Sequence, residues 1–363
     1  MPDTVTVGIV GTGVGIRTHL AGMQTVSAAQ VLGVAGRSRE HAAAHLRAAG
    51  APVSLACSFE ELLDRSPALV CLCTPPLERE QYLEPLAQSG ATLLVEKPVG
   101  ASYGQAAAEL SVLEGTAPAF TNLQLRGLPA IAAIRERIVA GELGHAYSLR
   151  AEERTAAFRG DAIAPWQQHR RTGGGQRLAM GPHLLDLALF LLGAGYDEID
   201  LQRLTGRGST ATPRGSWAQG ISPDGVLADE TFRAAFEARG CWIDLFTTSI
   251  ATGPRTLSFE IEGTEGLVRF NFSDGVGVVE IVSAGETASY SIDSSGSMTS
   301  GEPTPLNPSV FRIAYPSYAK AVVAQVGNGK SNPHLATLSD GLANLDVLDR
   351  LVAGAASDDE GAN

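Results

Sequence analysis

At 363 residues and 37.8 kDa the chain exceeds one ordinary domain, and about 150 residues per domain predicts two. Its 44% hydrophobic and 18% charged residues suffice for large cores and exclude a chain disordered throughout. A formal charge of -12 and a pI near 5.1 leave no broad basic footprint for counterion release, so nucleic-acid binding is not expected as a main task, although local basic pockets stay open.

The first 120 residues alternate two signals. Apolar, β-branched runs at 5–10, 30–35, 68–73, 92–95 and 117–121 are separated by Ala-, Glu- and Leu-rich stretches with helical spacing. Short apolar strands alternating with helices predict a doubly wound parallel sheet covered on both faces. The strand at 5–10 carries no basic leader or cleavage site, so no targeting segment is expected. Four cysteines make no disulfide framework, and Cys71 and Cys73 read as buried thiols of a cytoplasmic protein.

Gly11-Thr12-Gly13-Val14-Gly15-Ile16 follows the first strand and opens a helix. One glycine bends the chain and another lets backbone approach a pyrophosphate seated on the helix N-terminus, so these residues predict dinucleotide binding. After the second strand an NAD enzyme places an acid on the ribose 2′-hydroxyl. Here the chain reads Gly36-Arg37-Ser38-Arg39 with no acid at these four positions. A guanidinium and a hydroxyl suit a 2′-phosphate and favour NADP(H) over NAD(H); the alternative is a solvated Arg37 stacked on adenine. Glu96-Lys97-Pro98 ends another strand, where ligands of such sheets bind, and Lys97 is a candidate acid/base there.

From about residue 145 the texture changes to strand-like segments at 145–155, 198–205, 230–238, 241–249, 256–262 and 267–272, many joined by hairpin turns such as Arg239-Gly240 and 273–275. The expected architecture is therefore α/β: an N-terminal Rossmann domain at 1–122, then an α+β domain at 123–356 with a large, open, mainly antiparallel sheet. The stretches at 206–225 and 283–308 read as loops, and 357–363 as a disordered acidic tail. The longest apolar stretch, 184–192, is interrupted by Asp186 and is far shorter than the ~20 residues a membrane span needs. Just before it lies Gly173-Gly174-Gly175 and then Gly181-Pro182-His183, with His183 and Asp186 on one helix face. No zinc-like spacing and no serine nucleophile elbow is present.

Taken together, the glycine turn, Thr74-Pro75-Pro76, Glu96-Lys97-Pro98, the glycine run and His183 resemble the glucose–fructose oxidoreductase/inositol dehydrogenase (Gfo/Idh/MocA) family over nearly the whole chain. The resemblance implies hydride transfer between a nicotinamide and a hydroxyl or carbonyl carbon, most often of a sugar or cyclitol. It implies that Thr74, Pro75, Glu96 and Lys97 line the cofactor site, that Lys97 and His183 are catalytic, and that Asn122, Trp166 and His183 serve the substrate. The open sheet would make a homodimer or homotetramer. Two positions depart from the family pattern. Ala179 stands where an Asp often lies four residues before the His, and Arg79 where a His often follows Thr-Pro-Pro. Asp186 is the leading substitute for the lost carboxylate. The departures keep two further readings in play: a lyase, epimerase or glycosidase that retains its nicotinamide, and a non-catalytic cofactor-binding regulator.

Overall fold

The computed structural model describes residues 4–116, 118–157, 165–200, 205–209, 228–307 and 309–359. They divide into two compact units, Met1–Gly127 with Ala314–Leu342, and Leu128–Ile313 with Ala343–Asn363. The division is discontinuous in sequence, which a single boundary drawn along the chain does not express.

In the first unit the strands are β1 (Val5–Val10), β2 (Ala29–Ala35), β3 (Ala56–Cys57), β4 (Leu69–Leu72), β5 (Thr92–Val95) and β6 (Ala119–Thr121). All neighbours run parallel in the order β3-β2-β1-β4-β5-β6. A π-helical stretch at Gly15–Leu20 leads into α1 (Ala21–Met23). Then come α2 (Arg39–Ala48), α3 (Phe59–Asp64), α4 (Glu80–Ser89) and α5 (Tyr103–Leu110). Residues such as Val7, Ile9, Cys71 and Leu94 are fully buried, as strands covered on both faces require. Local chemistry starts the helices. Ser58 and Glu61 form a reciprocal capping box on α3, and the Ser38 hydroxyl accepts the His41 N–H at 3.1 Å to cap α2. Because β1 lies between β2 and β4, the chain winds away from it in both directions. The carboxyl ends of β1 and β4 therefore form the switch-point crevice of a doubly wound sheet.

The second unit starts with α6 (Pro129–Val139), β7 (Ala146–Arg154), α7 (Gln176–Ala179) and α8 (Gly181–Leu192). It continues through β8 (Thr205–Ser209), β9 (Thr231–Ala238), β10 (Cys241–Thr248), β11 (Thr256–Gly263), β12 (Gly266–Ser273), β13 (Val276–Ser283), β14 (Glu286–Ile292) and β15 (Met298–Thr299). Two helices, α9 (Val310–Asn328) and α10 (Leu338–Asp359), contribute residues to both units. The nine strands make one mixed sheet, β15-β14-β13-β12-β11-β7-β10-β9-β8, in which only β7 and β10 pair in parallel. One face packs on α8, which is buried along its whole length. The other carries a ladder of alternating charge. Asp244, Arg150, Glu260, Arg269 and Glu280 stand opposite one another across five adjacent strands, and Arg269 bonds both Glu260 and Glu280.

Several sequence expectations need correction. The stretch 283–308, read as loop, contains β14 and β15. The β13–β14 turn is Ala284-Gly285, with φ of 52° and 80°, the same left-handed pairing as Arg239-Gly240 and Asp274-Gly275. Alanine seldom takes that conformation, so the third hairpin carried no turn signal. The strand expected at 198–205 is preceded by a short turn at Tyr196–Glu198, where the Glu198 carboxylate accepts the Gly195 N–H; Ile199 then makes an isolated bridge to Ala238, residues 201–204 lie outside the described ones, and the described β8 is Thr205–Ser209. Residues 206–209 of the loop expected at 206–225 are strand, and 210–225 lie outside the description. The acidic end is helical to Asp359, and 360–363 are likewise outside. Among the described residues no helix is long and apolar enough to cross a membrane.

Arg79 ties the loops beyond β4 and β5 together. It is 2% exposed; its Nε and Nη2 donate to the Thr74 carbonyl at 3.2 and 3.0 Å, and Nη1 donates to the Pro98 carbonyl at 2.6 Å. Burial lowers its pKa to about 10, so it stays charged at neutral pH. The planar fork explains why Arg is used here, because one ammonium cannot span two carbonyls. Arg79→Ala should cost about 3 kcal/mol in urea unfolding, since charge-assisted bonds are lost and two carbonyls are stranded. Arg79→Lys should recover only part of that loss, with an unchanged dependence on urea.

Candidate active site

The glycine turn leaves β1 with Gly11 at φ +115°, and a Cβ there would lie 2.7 Å from the Cys73 carbonyl oxygen. This position needs glycine twice over, for its backbone angle and for the close approach of two chains. Gly13 differs: a Cβ would meet nothing within 4 Å, so its space is open to a ligand. Gly15 packs against Ile9, and Ile16, in the place of a third glycine, is buried in the core. Across from this turn Thr74 is 7% exposed, and its Oγ1 is buried with no hydrogen-bonding partner. An open glycine and an orphaned hydroxyl at the carboxyl edge of a parallel sheet fit a dinucleotide, with Gly11–Gly15, Thr74 and Pro75 as the residues that would hold it.

The ribose-discriminating loop is not free of acid, contrary to the sequence reading. Arg37 Nη2 lies 3.1 Å from the Glu78 carboxylate, with 74% of the Arg37 side chain exposed. Sequence pattern missed this pair because 41 residues separate its members. They meet because β2 and β4 flank β1, which brings the loops that follow them to one sheet edge. Ser38 spends its hydroxyl acceptor on the α2 cap.

Beyond β5 the chain turns at Glu96-Lys97-Pro98, with a cis Lys97–Pro98 peptide. Lys97 is half-buried. Glu96 is 6% exposed and does not face solvent; its Oε1 accepts from Asn122 Nδ2 at 2.6 Å and lies 2.7 Å from His19 Nε2. The other ring nitrogen of His19 is 2.7 Å from the Tyr315 hydroxyl. His19, Asn122 and Tyr315 are all buried. Neither His19 nor Tyr315 was foreseen. His19 sits among apolar residues of the first helix, where a single polar side chain was the only available signal, and Tyr315 is almost 300 residues away in α9.

Burial opposes charge on both members of this pair. It would raise Glu96, yet the hydrogen bond and charge of His19, followed by Lys97 and Asn122, hold the carboxyl below its ordinary value. It would lower His19, yet the neighbouring Cys73 and Cys71 and their hydrogen bonds leave the imidazole well above its ordinary value. Burial keeps the Cys73 thiol protonated, at about 11, so at neutral pH the counter-charge beside His19 is Glu96. The arrangement is a buried carboxylate held by an imidazole nitrogen and an amide donor, with the Tyr315 hydroxyl on the other ring nitrogen.

In the second unit Gly173 and Gly175 take φ of 83° and 91°, and a Cβ on Gly175 would lie 2.4 Å from the Asp229 carboxylate. That carboxylate accepts the Arg177 N–H at 2.7 Å and so pins the start of α7. His183 is the third residue of α8, 4% exposed, with its ring 4.7 Å from that of Phe311. Arg255 lies over the other partner, 5.2 Å from the Phe311 centroid, and 3.3 Å from Glu153, which is fully buried. Thr247 donates to Gln176 at 2.7 Å and to Glu153 at 3.3 Å. Asp186, the expected substitute for a carboxylate at Ala179, accepts from the Tyr196 hydroxyl at 2.8 Å, and Asn344 bonds both that hydroxyl and the Pro182 carbonyl. Its visible task is to tie α8 to α10. Trp166 is half-buried and its carbonyl accepts from Thr172. Among the described residues no group of three or more His, Cys, Asp or Glu could hold a metal ion.

No curated protein sequence matches the chain. Solved structures do. Levoglucosan dehydrogenase in complex with NADH and levoglucosan superposes with a TM-score of 0.79 at 20% identity, covering 97% of both chains. An oxidoreductase from Agrobacterium radiobacter, in complex with NAD+, L-tartaric acid and magnesium, gives 0.75 at 16% identity over 97% of this chain and 96% of the other. An aldose-aldose oxidoreductase from Caulobacter crescentus, complexed with glycerol, gives 0.74 at 15% identity over 98% of each. These likenesses establish the fold. Residues 5–117 match the GFO_IDH_MocA model, described as an oxidoreductase family with an NAD-binding Rossmann fold, and residues 131–269 match the GFO/IDH/MocA C-terminal domain. With both halves matched in order, the chain belongs to the Gfo/Idh/MocA oxidoreductase family.

Proposed function

We propose that this member transfers a hydride between NADP(H) and the hydroxyl or carbonyl carbon of a sugar, cyclitol or related polyol. The observation that carries the reading is the edge of the parallel sheet. There Lys97 follows β5 beside a buried Glu96, and the turn after β1 offers the open space at Gly13. Structures with the same fold hold levoglucosan or L-sorbose together with NADH, which supports a sugar-like substrate. When bound, the nicotinamide supplies the hydride acceptor or donor. Lys97 orients the reacting hydroxyl and takes part in moving its proton, and His183 acts as acid/base. Asn122 Oδ1, buried without a hydrogen-bonding partner, is the acceptor that residue offers a ligand. Trp166 serves the substrate side.

Lys97→Ala should lower kcat by roughly 10²–10⁴ while NADPH affinity hardly changes. The assay follows NADPH or NADP+ against a panel of sugars, polyols and their carbonyl counterparts. Turnover without net cofactor change would instead identify a nicotinamide-retaining lyase or epimerase, and tight binding without turnover a regulator.

Preference for NADP(H) rests on Arg37. Its partner Glu78 competes with a 2′-phosphate for the guanidinium, so the two variants should act oppositely. Arg37→Ala should weaken NADPH by on the order of 1.5–3 kcal/mol and leave NADH nearly unchanged, whereas Glu78→Gln should tighten NADPH. Calorimetry reads both, and equal losses for the two cofactors in Arg37→Ala would mean that Arg37 stacks on adenine.

We also propose a homodimer or homotetramer built on the open sheet face. Trp242, 41% exposed, shares that face with the charge ladder, whose alternating signs can pair with a second copy about a two-fold axis. Sedimentation should give a dimer or larger at micromolar concentration, and Arg269→Glu should shift it toward monomer.

A further inference from the structure

The protein has only three lysines, Lys97, Lys320 and Lys330, and Lys97 alone lies at the carboxyl edge of the parallel sheet. Its chain neighbour Glu96 is a charged group removed from water, a costly state unless it is paired and fully hydrogen-bonded. The pairing comes from parts of the first unit far apart in sequence. His19 comes from the helix after the glycine turn, Asn122 from beyond β6, and Tyr315 from α9. A core that needed only packing would fill this space with apolar side chains, as it does around Ile9, Leu20 and Leu94. The cost is accepted beside the one lysine that matters to the chemistry.

We propose that His19 is a positioning residue for Lys97: with Asn122 and Tyr315 it fixes the Glu96 carboxylate in a buried ion pair and so sets the charge beside the lysine amine. This rests on Lys97 as the proton-transfer group, and it extends that reading to a residue that touches neither substrate nor cofactor. The groups surrounding the pair are Tyr315, Cys71, Cys73, Lys97 and Arg79. Burial raises Cys73 and Tyr315, which are therefore neutral near pH 7, and Arg79 is committed to the Thr74 and Pro98 carbonyls. On this proposal the balance felt by Lys97 is a negative Glu96 offset by the proton His19 holds against it at 2.7 Å. Removing the imidazolium leaves an uncompensated carboxylate, which favours the ammonium form of Lys97. Removing the carboxylate does the reverse.

The opposed signs make the test. Reductive methylation of the full-length protein with ¹³C-formaldehyde labels the three lysines and the amino terminus, and Lys97→Arg assigns the Lys97 signal by its loss. Titration by NMR then reads the Lys97 midpoint with no substrate required. His19→Gln should raise that midpoint and Glu96→Gln should lower it, each by about one unit, the low end for a charge at this range. Tyr315→Phe should raise it less than His19→Gln. If His19→Gln fails to fold, judged by circular dichroism and NADPH binding, Glu96→Gln and Tyr315→Phe carry the same opposed signs. Midpoints that stay fixed, or that move in one direction for both members of a pair, would overturn the proposal and leave His19 a packing residue. Turnover persisting in Lys97→Ala would overturn the catalytic reading instead, whatever the titrations show.

Discussion

A carboxylate kept dry beside a lysine is the constraint around which the first unit is built. Glu96 cannot remain ionised in the core without a proton-bearing partner and a second donor, and His19 and Asn122 supply them at 2.7 and 2.6 Å. His19 in turn needs something on its other nitrogen, which requires Tyr315 and therefore α9. A single buried charge thus specifies residues from the first helix, two strand ends and a helix near the far end of the chain. Arg79 does parallel work on the backbone, tying the Thr74 and Pro98 carbonyls that bracket the same edge.

This arrangement gives meaning to one departure from the family pattern. An Arg at position 79 is a replacement of function as well as of residue. A histidine there could reach one carbonyl or a ligand, whereas the guanidinium spans two loops and is buried by them. The residue is spent on scaffolding. At the other departure, Ala179, the expected substitute Asp186 accepts a hydrogen bond from the Tyr196 hydroxyl. The buried acids Glu153 and Asp229 lie in the same unit as His183, but both hold neighbouring groups of their own: Glu153 with Arg255 and Thr247, Asp229 with the start of α7.

The second unit separates its two faces by chemistry. Inward residues of β9 and β10 such as Phe232, Phe236, Ile243 and Leu245 are buried, and α8 is apolar enough to be covered throughout. Outward residues include one row of charge, Asp244, Arg150, Glu260, Arg269 and Glu280, in which each side chain faces one of opposite sign on the next strand. Cross-strand pairs of this kind stabilise register modestly. They also make an open sheet face less apt to join indiscriminately to other strands, because facing like charges repel.

Local chemistry was legible in the chain itself. Apolar β-branched runs located five of the six parallel strands to within a residue or two, since strands buried on both faces leave little choice of side chain, while the two-residue β3 at Ala56–Cys57 was too short to show a pattern. Glycines marked the turn after β1 and the hairpins at Arg239-Gly240 and Asp274-Gly275, since their left-handed backbone angles leave few alternatives. Glu96-Lys97-Pro98 marked the carboxyl edge of the parallel sheet after β5. The weak strand β14 was not legible, because its register comes from pairing with β13 rather than from its own polar sequence. Nor were the partners of Glu96 and Arg37. Hydrogen bonds and ion pairs act over about 3 Å in space whatever their separation along the chain. Sequence pattern reports what repeats nearby, so His19 meeting Tyr315, and Glu78 meeting Arg37, were decided only when the sheet order brought their loops to one edge.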